Sequence, residues 1–145
     1  MKRYLIDGNN VLCAWKGVAR PERAQENEFL KLVKAFLHGN DRATIVFDGP
    51  PRSGSYPRVI EVRYSRAQKA DAVLIRLIQS APHPQQLIVV SDDRQVLQAA
   101  KGCRVLHARE FLAEAASTQP ESEKPGLLSP EERERWLKEF GIKDQ

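Results

Sequence analysis

Three short apolar runs in this chain each end in aspartate and a polar turn, and this repetition constrains the fold more than any other feature. The runs are Tyr4-Leu5-Ile6-Asp7, Thr44-Ile45-Val46-Phe47-Asp48 and Leu87-Ile88-Val89-Val90-Ser91-Asp92-Asp93. In a parallel sheet every strand delivers its carboxyl end to the same edge, so these carboxylates can converge there. Converging carboxylates repel one another unless a cation or a shared proton lies between them. The sequence therefore predicts a divalent-metal site at one edge of a parallel sheet.

Strand-like and helix-like patterns alternate along residues 1–116 and predict a single α/β domain. The predicted strands cover residues 3–7, 43–48, 59–64, 87–91 and 103–107. The predicted helices cover residues 10–16, 22–38, 66–79, 93–101 and 109–116. Right-handed crossovers between such strands give a five-stranded parallel sheet. In the order 3-2-1-4-5, strands 2, 1 and 4 are neighbours, and a crevice opens beside strand 1, where the order reverses.

The C-terminal part of the chain has a different character. Residues 117–129 are polar, and we expect a linker there. The run Ser129-Pro130-Glu131-Glu132 is typical of a helix start, so residues 130–141 are predicted to form a short helix. This helix carries an apolar face of Trp136, Leu137 and Phe140, which should dock on something. Two possibilities stay open: the face packs on its own domain or on a sister subunit in a homodimer, or it binds another protein or the ribosome.

The predicted domain is basic, whereas the C-terminal segment is acidic. Residues 1–116 carry 18 Lys and Arg against 12 Asp and Glu, and residues 117–145 carry 5 against 7. An acidic pocket in a basic surround suits a polyanion that is processed with the help of metal ions. Charge alone is also compatible with an ordinary solvated surface.

Composition gives an expectation for the compartment. The apolar runs are too short for a membrane span, and the first run stops at Asp7, which is not typical of a signal peptide. Cys13 and Cys103 lack a metal-binding spacing, so we expect buried free thiols in a reducing cytoplasm. The three histidines stand alone in the sequence and are expected on surface loops.

The strand ends supply candidate ligands for a hard cation. Asp7, Asp48 and Asp92 follow strands 1, 2 and 4, and Asp71 lies about one turn into the helix after strand 3. Together with Asp93 they could supply oxygen ligands for one or two Mg²⁺ or Mn²⁺ ions. Each aspartate also has a structural interpretation as a turn former or a helix cap. Asp93 in particular could cap the helix 93–101, and Asp71 could favour the positive end of its own helix.

Four motifs in register carry a family resemblance. They are Leu5-Ile6-Asp7-Gly8-Asn9-Asn10, Val46-Phe47-Asp48-Gly49, Lys69-Ala70-Asp71 and Val90-Ser91-Asp92-Asp93-Arg94. Over residues 1–116 the chain resembles the NYN domain family, in its YacP-like branch, within the PIN-like nuclease superfamily. The resemblance implies a Rossmann-like, three-layer α/β/α fold. It also implies that Asp7, Asp71 and Asp92 bind the metal and that Asp48 is a further catalytic acid. Relatives vary at the position of Asp93, so a second metal stays open.

The resemblance further implies a metal-dependent endoribonuclease that leaves 5′-phosphate and 3′-hydroxyl ends on RNA. The residues expected to bind the substrate are Asn10, Arg52, Arg58, Arg66, Lys69, Ser91 and Arg94. Tyr56, in the loop after strand 2, could stack on an unpaired base. Two other functions stay open: a non-catalytic RNA- or ribosome-binding module whose acidic site has decayed, and an interaction protein that acts through the C-terminal helix.

Overall fold

The computed structural model describes residues 2–52, 54 and 56–117. The predicted linker beyond Ser117 and the predicted helix 130–141 lie outside the described residues.

Strands and helices alternate along the described part of the chain. In order they are β1 (Arg3–Asp7), α1 (Gly8–Lys16), α2 (Arg23–Phe36), β2 (Arg42–Phe47), β3 (Ile60–Tyr64), α3 (Ala70–Gln79), β4 (Leu87–Val90), α4 (Arg94–Ala99), β5 (Arg104–Leu106) and α5 (Ala108–Ser117), with a 3-10 turn at Pro84–Gln86. Within the described ranges, none of these helices is long and apolar enough to cross a membrane.

The strands form one parallel sheet in the order β3-β2-β1-β4-β5, which confirms the predicted order. β1 lies at the centre, where Ile6 pairs with Ile45 of β2 on one side and with Val90 of β4 on the other. The three strands therefore end at nearly the same level of one sheet edge. This register brings the residues that follow them close together.

Helices cover both faces of the sheet and give it three layers. Successive residues of a strand point to opposite faces. Tyr4 and Ile6 of β1 belong to the core that contains residues of α1, α2 and α5, whereas Leu5 belongs to the core formed with α3 and α4. Because both faces are buried, the central strands are continuously apolar. The predicted Rossmann-like, three-layer α/β/α fold is confirmed.

Helix α2 shows how local sequence sets an element that later supports the site. Its first turn carries a capping box, in which the Gln25 side chain accepts a hydrogen bond from the Glu22 N–H at 2.9 Å. Phe29, Val33 and Phe36 recur at helical spacing and are buried in the core. The outer face of α2 is left exposed and polar.

Helix α3 begins at Ala70, four residues later than the sequence pattern predicts. The N–H groups of Ser65 and Arg66 donate to the carbonyls of Phe47 and Gly49 at 2.9 and 2.8 Å. These bonds hold the segment along the sheet edge after β3. Arg66 then takes a φ of 61°, which is incompatible with a right-handed helix. The late start places Asp71 in the first turn of α3.

Candidate functional site

Asp7 occupies the end of the central strand and is the most buried of the candidate acids, with 6% of its surface exposed. Helix α1 follows β1 directly, so the chain turns sharply at Gly8. A Cβ at Gly8 would lie 2.7 Å from the Phe47 ring and 2.8 Å from the Val46 carbonyl oxygen. Glycine is therefore needed because the backbone of α1 passes too close to β2 for any side chain.

The two asparagines after Gly8 tie the neighbouring strand ends to α1. The Asn9 side-chain oxygen accepts a hydrogen bond from the Asp48 N–H at 2.7 Å, beyond the end of β2. The Asn10 oxygen accepts from the Asp92 N–H at 3.0 Å, beyond the end of β4. One helical turn thus fixes the strand ends on both sides of Asp7.

Four of the five candidate carboxylates line one open cleft at this edge of the sheet. The cleft has a volume of about 700 Å³, and its acidic lining residues are Asp7, Asp48, Asp71 and Asp93. Asn9, Asn10 and Lys69 line it as well. The predicted convergence therefore holds for these four acids.

Two of these acids also cap helices. Asp48 Oδ1 accepts from the Ala70 N–H at 2.9 Å and so caps α3 from a distant part of the chain. Asp93 Oδ1 accepts from the N–H groups of Gln95 and Val96 at 2.8 and 3.2 Å and caps α4. Among the described residues, no hydrogen bond engages the Oδ2 atom of either side chain. The capping and ligand interpretations are thus compatible, because each role uses a different oxygen.

The pKa of Asp7 is raised to about 6, chiefly by burial and to a smaller extent by the neighbouring carboxylates of Asp93 and Asp48. The Ser91 hydroxyl, which donates to Asp7 Oδ2 at 2.9 Å, and the Asn10 N–H act in the opposite direction. A carboxyl whose pKa is raised by burial and by neighbouring carboxylates is typical of a functional site. A cation in the cleft would favour its ionised form.

The chemistry of the donor set fits a hard, hydrated cation. In the described part of the chain, no three His, Cys, Asp or Glu side chains are grouped closely enough to hold a metal between them. Mg²⁺, however, usually keeps several waters and binds directly to only one or two carboxylates. An open cleft lined by carboxylate and amide oxygens meets that requirement without a closed protein cage.

Asp92 is placed differently from the other acids. Its side chain is exposed and does not line the cleft. Asp92 Oδ1 accepts from the Ala108 N–H at 3.0 Å, at the start of α5, and lies 3.1 Å from His107 Nδ1. The structure thus brings Asp93 into the cleft and turns Asp92 towards α5.

His107 is a residue that the sequence patterns did not single out, because isolated histidines were expected on surface loops. His107 is indeed exposed, but it contacts Asp92 beside the candidate site. The available signal was its position at the end of the last predicted strand. A polar residue there reaches the same sheet edge as the aspartates that follow the other strands.

The residues predicted to bind substrate take several positions. Asn10 and Lys69 line the cleft, whereas Arg58, Arg66 and Arg94 are exposed and do not line it. Ser91 is buried; besides donating to Asp7, its Oγ accepts from the Asp93 N–H at 2.9 Å. Ser91 therefore orients two acids.

Arg52 also lies outside the cleft lining and is engaged with the protein itself. Its guanidinium donates to both carboxylate oxygens of Glu26, at 3.1 Å from Nε to Oε1, and Nη2 also donates to the Asp48 carbonyl at 3.2 Å. It further lies over the Tyr64 ring, 4.7 Å from the centroid. Glu26 on α2 is buried, so this ion pair fixes the loop after β2 against α2.

Comparisons with known proteins agree with the motifs. A family model for the YacP-like NYN domain matches residues 4–142. The chain is similar to the crystal structure of the W164L mutant of Rae1 (YacP) from Bacillus subtilis, with 22% identity, 97% of this chain and 92% of that chain covered, and a TM-score of 0.67. It is also similar to another crystal structure of Rae1 (YacP) from Bacillus subtilis, with 19% identity, 94% and 86% covered, and a TM-score of 0.69.

None of the curated proteins matches the chain significantly. At these identities the two structures establish a shared fold. The family model covers almost the whole sequence, and the resemblance inferred from the four motifs is confirmed. The chain therefore belongs to the YacP-like NYN domain family.

Proposed function

We propose that this protein is a divalent-metal-dependent endoribonuclease that hydrolyses RNA phosphodiesters to 5′-phosphate and 3′-hydroxyl ends. The observation that carries the proposal is the buried carboxyl of Asp7, which faces a cleft shared with three other acids at the edge of a parallel sheet. Membership of a family with a nuclease-like fold supports the same reaction class.

The chain's own residues would hold the site ready for reaction. Ser91 orients the Asp7 carboxyl through the 2.9 Å hydrogen bond, and Asn9 and Asn10 fix the adjacent strand ends. The cap that Asp48 makes on α3 keeps Asp71 at the cleft wall. Such preorganisation lowers the cost of stabilising charge during phosphoryl transfer.

Mg²⁺ or Mn²⁺ would be held directly by one or two of the cleft carboxylates, and through its bound waters by the others. The candidate carboxylates are those of Asp7, Asp48, Asp71 and Asp93. When bound, such an ion supplies an activated water and stabilises the developing charge on the phosphate. The Lys69 ammonium at the cleft wall is suited to bind a phosphate oxygen of the RNA backbone. We assign Asp92, which lies outside the cleft, to capping α5.

The proposal is tested by incubating labelled single-stranded RNA with the full chain in Mg²⁺, Mn²⁺ or EDTA. We expect cleavage only with metal, and the product ends should be 5′-phosphate and 3′-hydroxyl. Asp7→Asn should lower the rate by about 100- to 1000-fold, as expected for the loss of one preorganised electrostatic group. Glu114→Gln, which neutralises an exposed acid on α5, is the matched control and should cleave normally.

A different result would favour the alternative function. Because three acids near the strand ends cap helices, the acidic pattern alone does not require chemistry. If the wild type binds RNA tightly but does not cleave it with either metal, the protein is a non-catalytic RNA-binding module on the same fold.

Asp92 and Asp93 form a natural pair for a second test, because they are adjacent and each caps a helix. Asparagine caps a helix about as well as aspartate, so both Asp→Asn variants should keep the fold. We expect Asp93→Asn to lower cleavage at least about 10-fold, since it removes a charge from the cleft. Asp92→Asn should cleave within about twofold of wild type. If Asp92→Asn instead lowers the single-turnover rate more than Asp93→Asn does, Asp92 rather than Asp93 belongs to the metal site.

A further inference from the structure

A second concave surface lies outside the acidic cleft, between α2 and the chain that follows β2. This groove has a volume of about 420 Å³. Its lining residues from α2 are Arg23, Asn27, Leu30, Lys31 and Lys34, and those from the loop are Gly54, Tyr56 and Pro57. The polar side chains come from the exposed outer face of α2.

The charged side chains described in the groove are all positive, in contrast to the acidic side chains of the cleft. Among the described residues that line it, three are Lys or Arg and none is Asp or Glu. Lys31 and Lys34 are exposed, stand one turn apart on the helix, and form no salt bridge with any residue in the described ranges. Their charge is therefore not neutralised by the surrounding protein.

Between the charged residues the groove has an apolar floor. Leu30 is 9% exposed, and Tyr56 and Pro57 are half-buried beside it. The Tyr56 hydroxyl lies 2.7 Å from that of Tyr64, which fixes the ring. A fixed aromatic side chain flanked by cations is the arrangement with which proteins bind single-stranded nucleic acid, since bases stack on the ring and phosphates meet the cations.

The groove and the cleft share one segment of chain. Asp48 and Gly49 line the cleft, and Gly54, Tyr56 and Pro57 of the same loop line the groove. Between these two places Arg52 binds Glu26, one residue before Asn27 of the groove. The ion pair between Arg52 and the buried Glu26 therefore holds the described part of this loop at the boundary between both sites.

We propose that this groove binds the backbone of a single-stranded RNA outside the reacting phosphodiester, with Lys31 and Lys34 on phosphates and Tyr56 against a base. Naming RNA as the ligand rests on the proposed function. The acidic C-terminal segment of the chain is the competing occupant, because Glu131, Glu132 and Glu134 carry the complementary charge. The aromatic floor between cations and the wall shared with the cleft favour RNA.

The test compares two doubly neutralised variants of the full chain. Lys31→Gln/Lys34→Gln removes two groove charges, and Lys101→Gln/Arg104→Gln removes two exposed charges that do not line the groove. Binding of a fluorescent single-stranded oligoribonucleotide is followed by anisotropy in EDTA, so that no cleavage occurs. The groove variant should bind about 10-fold more weakly near 0.1 M salt, and the slope of log K against log salt should fall by about 1.4, or 0.7 per lost phosphate contact. The control should stay within about twofold of wild type.

Equal weakening in the two variants, or none in either, overturns the proposal. It is also overturned if Glu131→Gln/Glu132→Gln/Glu134→Gln strengthens RNA binding while the lysine substitutions leave it unchanged, because the groove then belongs to the acidic segment. Failure of the proposed function looks different. If the protein binds RNA through Lys31 and Lys34 but never cleaves it, the groove proposal stands and the nuclease proposal fails. If cleavage depends on Asp7 but RNA binding does not depend on the two lysines, the nuclease proposal stands and the groove proposal fails.

Discussion

Replacing Asp7 with asparagine should stabilise the folded protein at pH 8 by about 3 kcal/mol in the free energy of unfolding. The reason is that burial raises the pKa of Asp7 from its ordinary 3.8 to about 6. Between these values the unfolded chain has released the proton while the folded chain still holds it, so stability falls as the pH rises. Above pH 6 the folded protein bears the full cost of burying the ionised Asp7 carboxylate, and this cost is absent in the variant because asparagine does not ionise.

Urea unfolding of both proteins at pH 4, 6 and 8 measures this difference. The difference in the free energy of unfolding between Asp7→Asn and wild type should increase as the pH rises and then level off above pH 6. Ser91→Ala should be more pH-sensitive than wild type, because it removes the hydrogen bond that lowers the pKa of Asp7. Curves for wild type and Asp7→Asn that run parallel at every pH would show that Asp7 ionises normally in the folded protein.

Breaking the ion pair between Arg52 and Glu26 should be the most damaging single change outside the cores. Glu26 is 4% exposed and accepts two hydrogen bonds from the Arg52 guanidinium. Arg52→Met leaves a buried carboxylate without its partner, and we expect a loss of about 3 kcal/mol in the free energy of unfolding. Arg52→Lys keeps the charge but loses the two-pronged geometry, so it should lie between methionine and wild type.

A double-mutant cycle separates this pair from simple packing. Glu26→Leu/Arg52→Met removes both charges and should recover much of the stability lost in Arg52→Met, because no unpaired charge stays buried. Additive losses in urea unfolding would mean that the two side chains do not act as a pair. Weaker RNA binding by Arg52→Met, at a temperature where it is still folded, would be consistent with a loop that forms the wall of the basic groove.

The sheet could be predicted because the sequence pattern that specifies each strand is local and recurs along the chain. Each buried strand is a continuous apolar run, each run ends in polar residues, and the connections contain helical patterns. The strand order then follows from the handedness of crossovers and the position of the acids. The same reasoning correctly placed Asp7, Asp48 and Asp71 at one cleft.

What the sequence did not reveal depends on contacts between distant residues. The late start of α3 comes from backbone bonds that join residues 65 and 66 to residues 47 and 49. From the sequence alone Arg52 is only a cation in a loop, because its partner Glu26 lies 26 residues away along the chain. Periodicity carries no information about such pairs, because it describes only one element at a time.

Asp92 and Asp93 illustrate the limit most clearly. They are adjacent, chemically identical and both suited to capping, so composition and spacing cannot say which one faces the cleft. The direction in which each side chain points depends on where α4 and α5 begin, and that depends on the packed structure.

The two hydrogen bonds made by the side chains of Asn9 and Asn10 have a consequence for the thermodynamics of ligand binding. They join the ends of three strands to a single turn of α1, so the backbone around Asp7 cannot adjust one strand at a time. A ligand that enters the cleft therefore finds backbone positions that are already ordered, and little conformational entropy is lost there on binding. The conformational entropy of this edge is lost during folding instead, and the burial of the apolar strands offsets that loss.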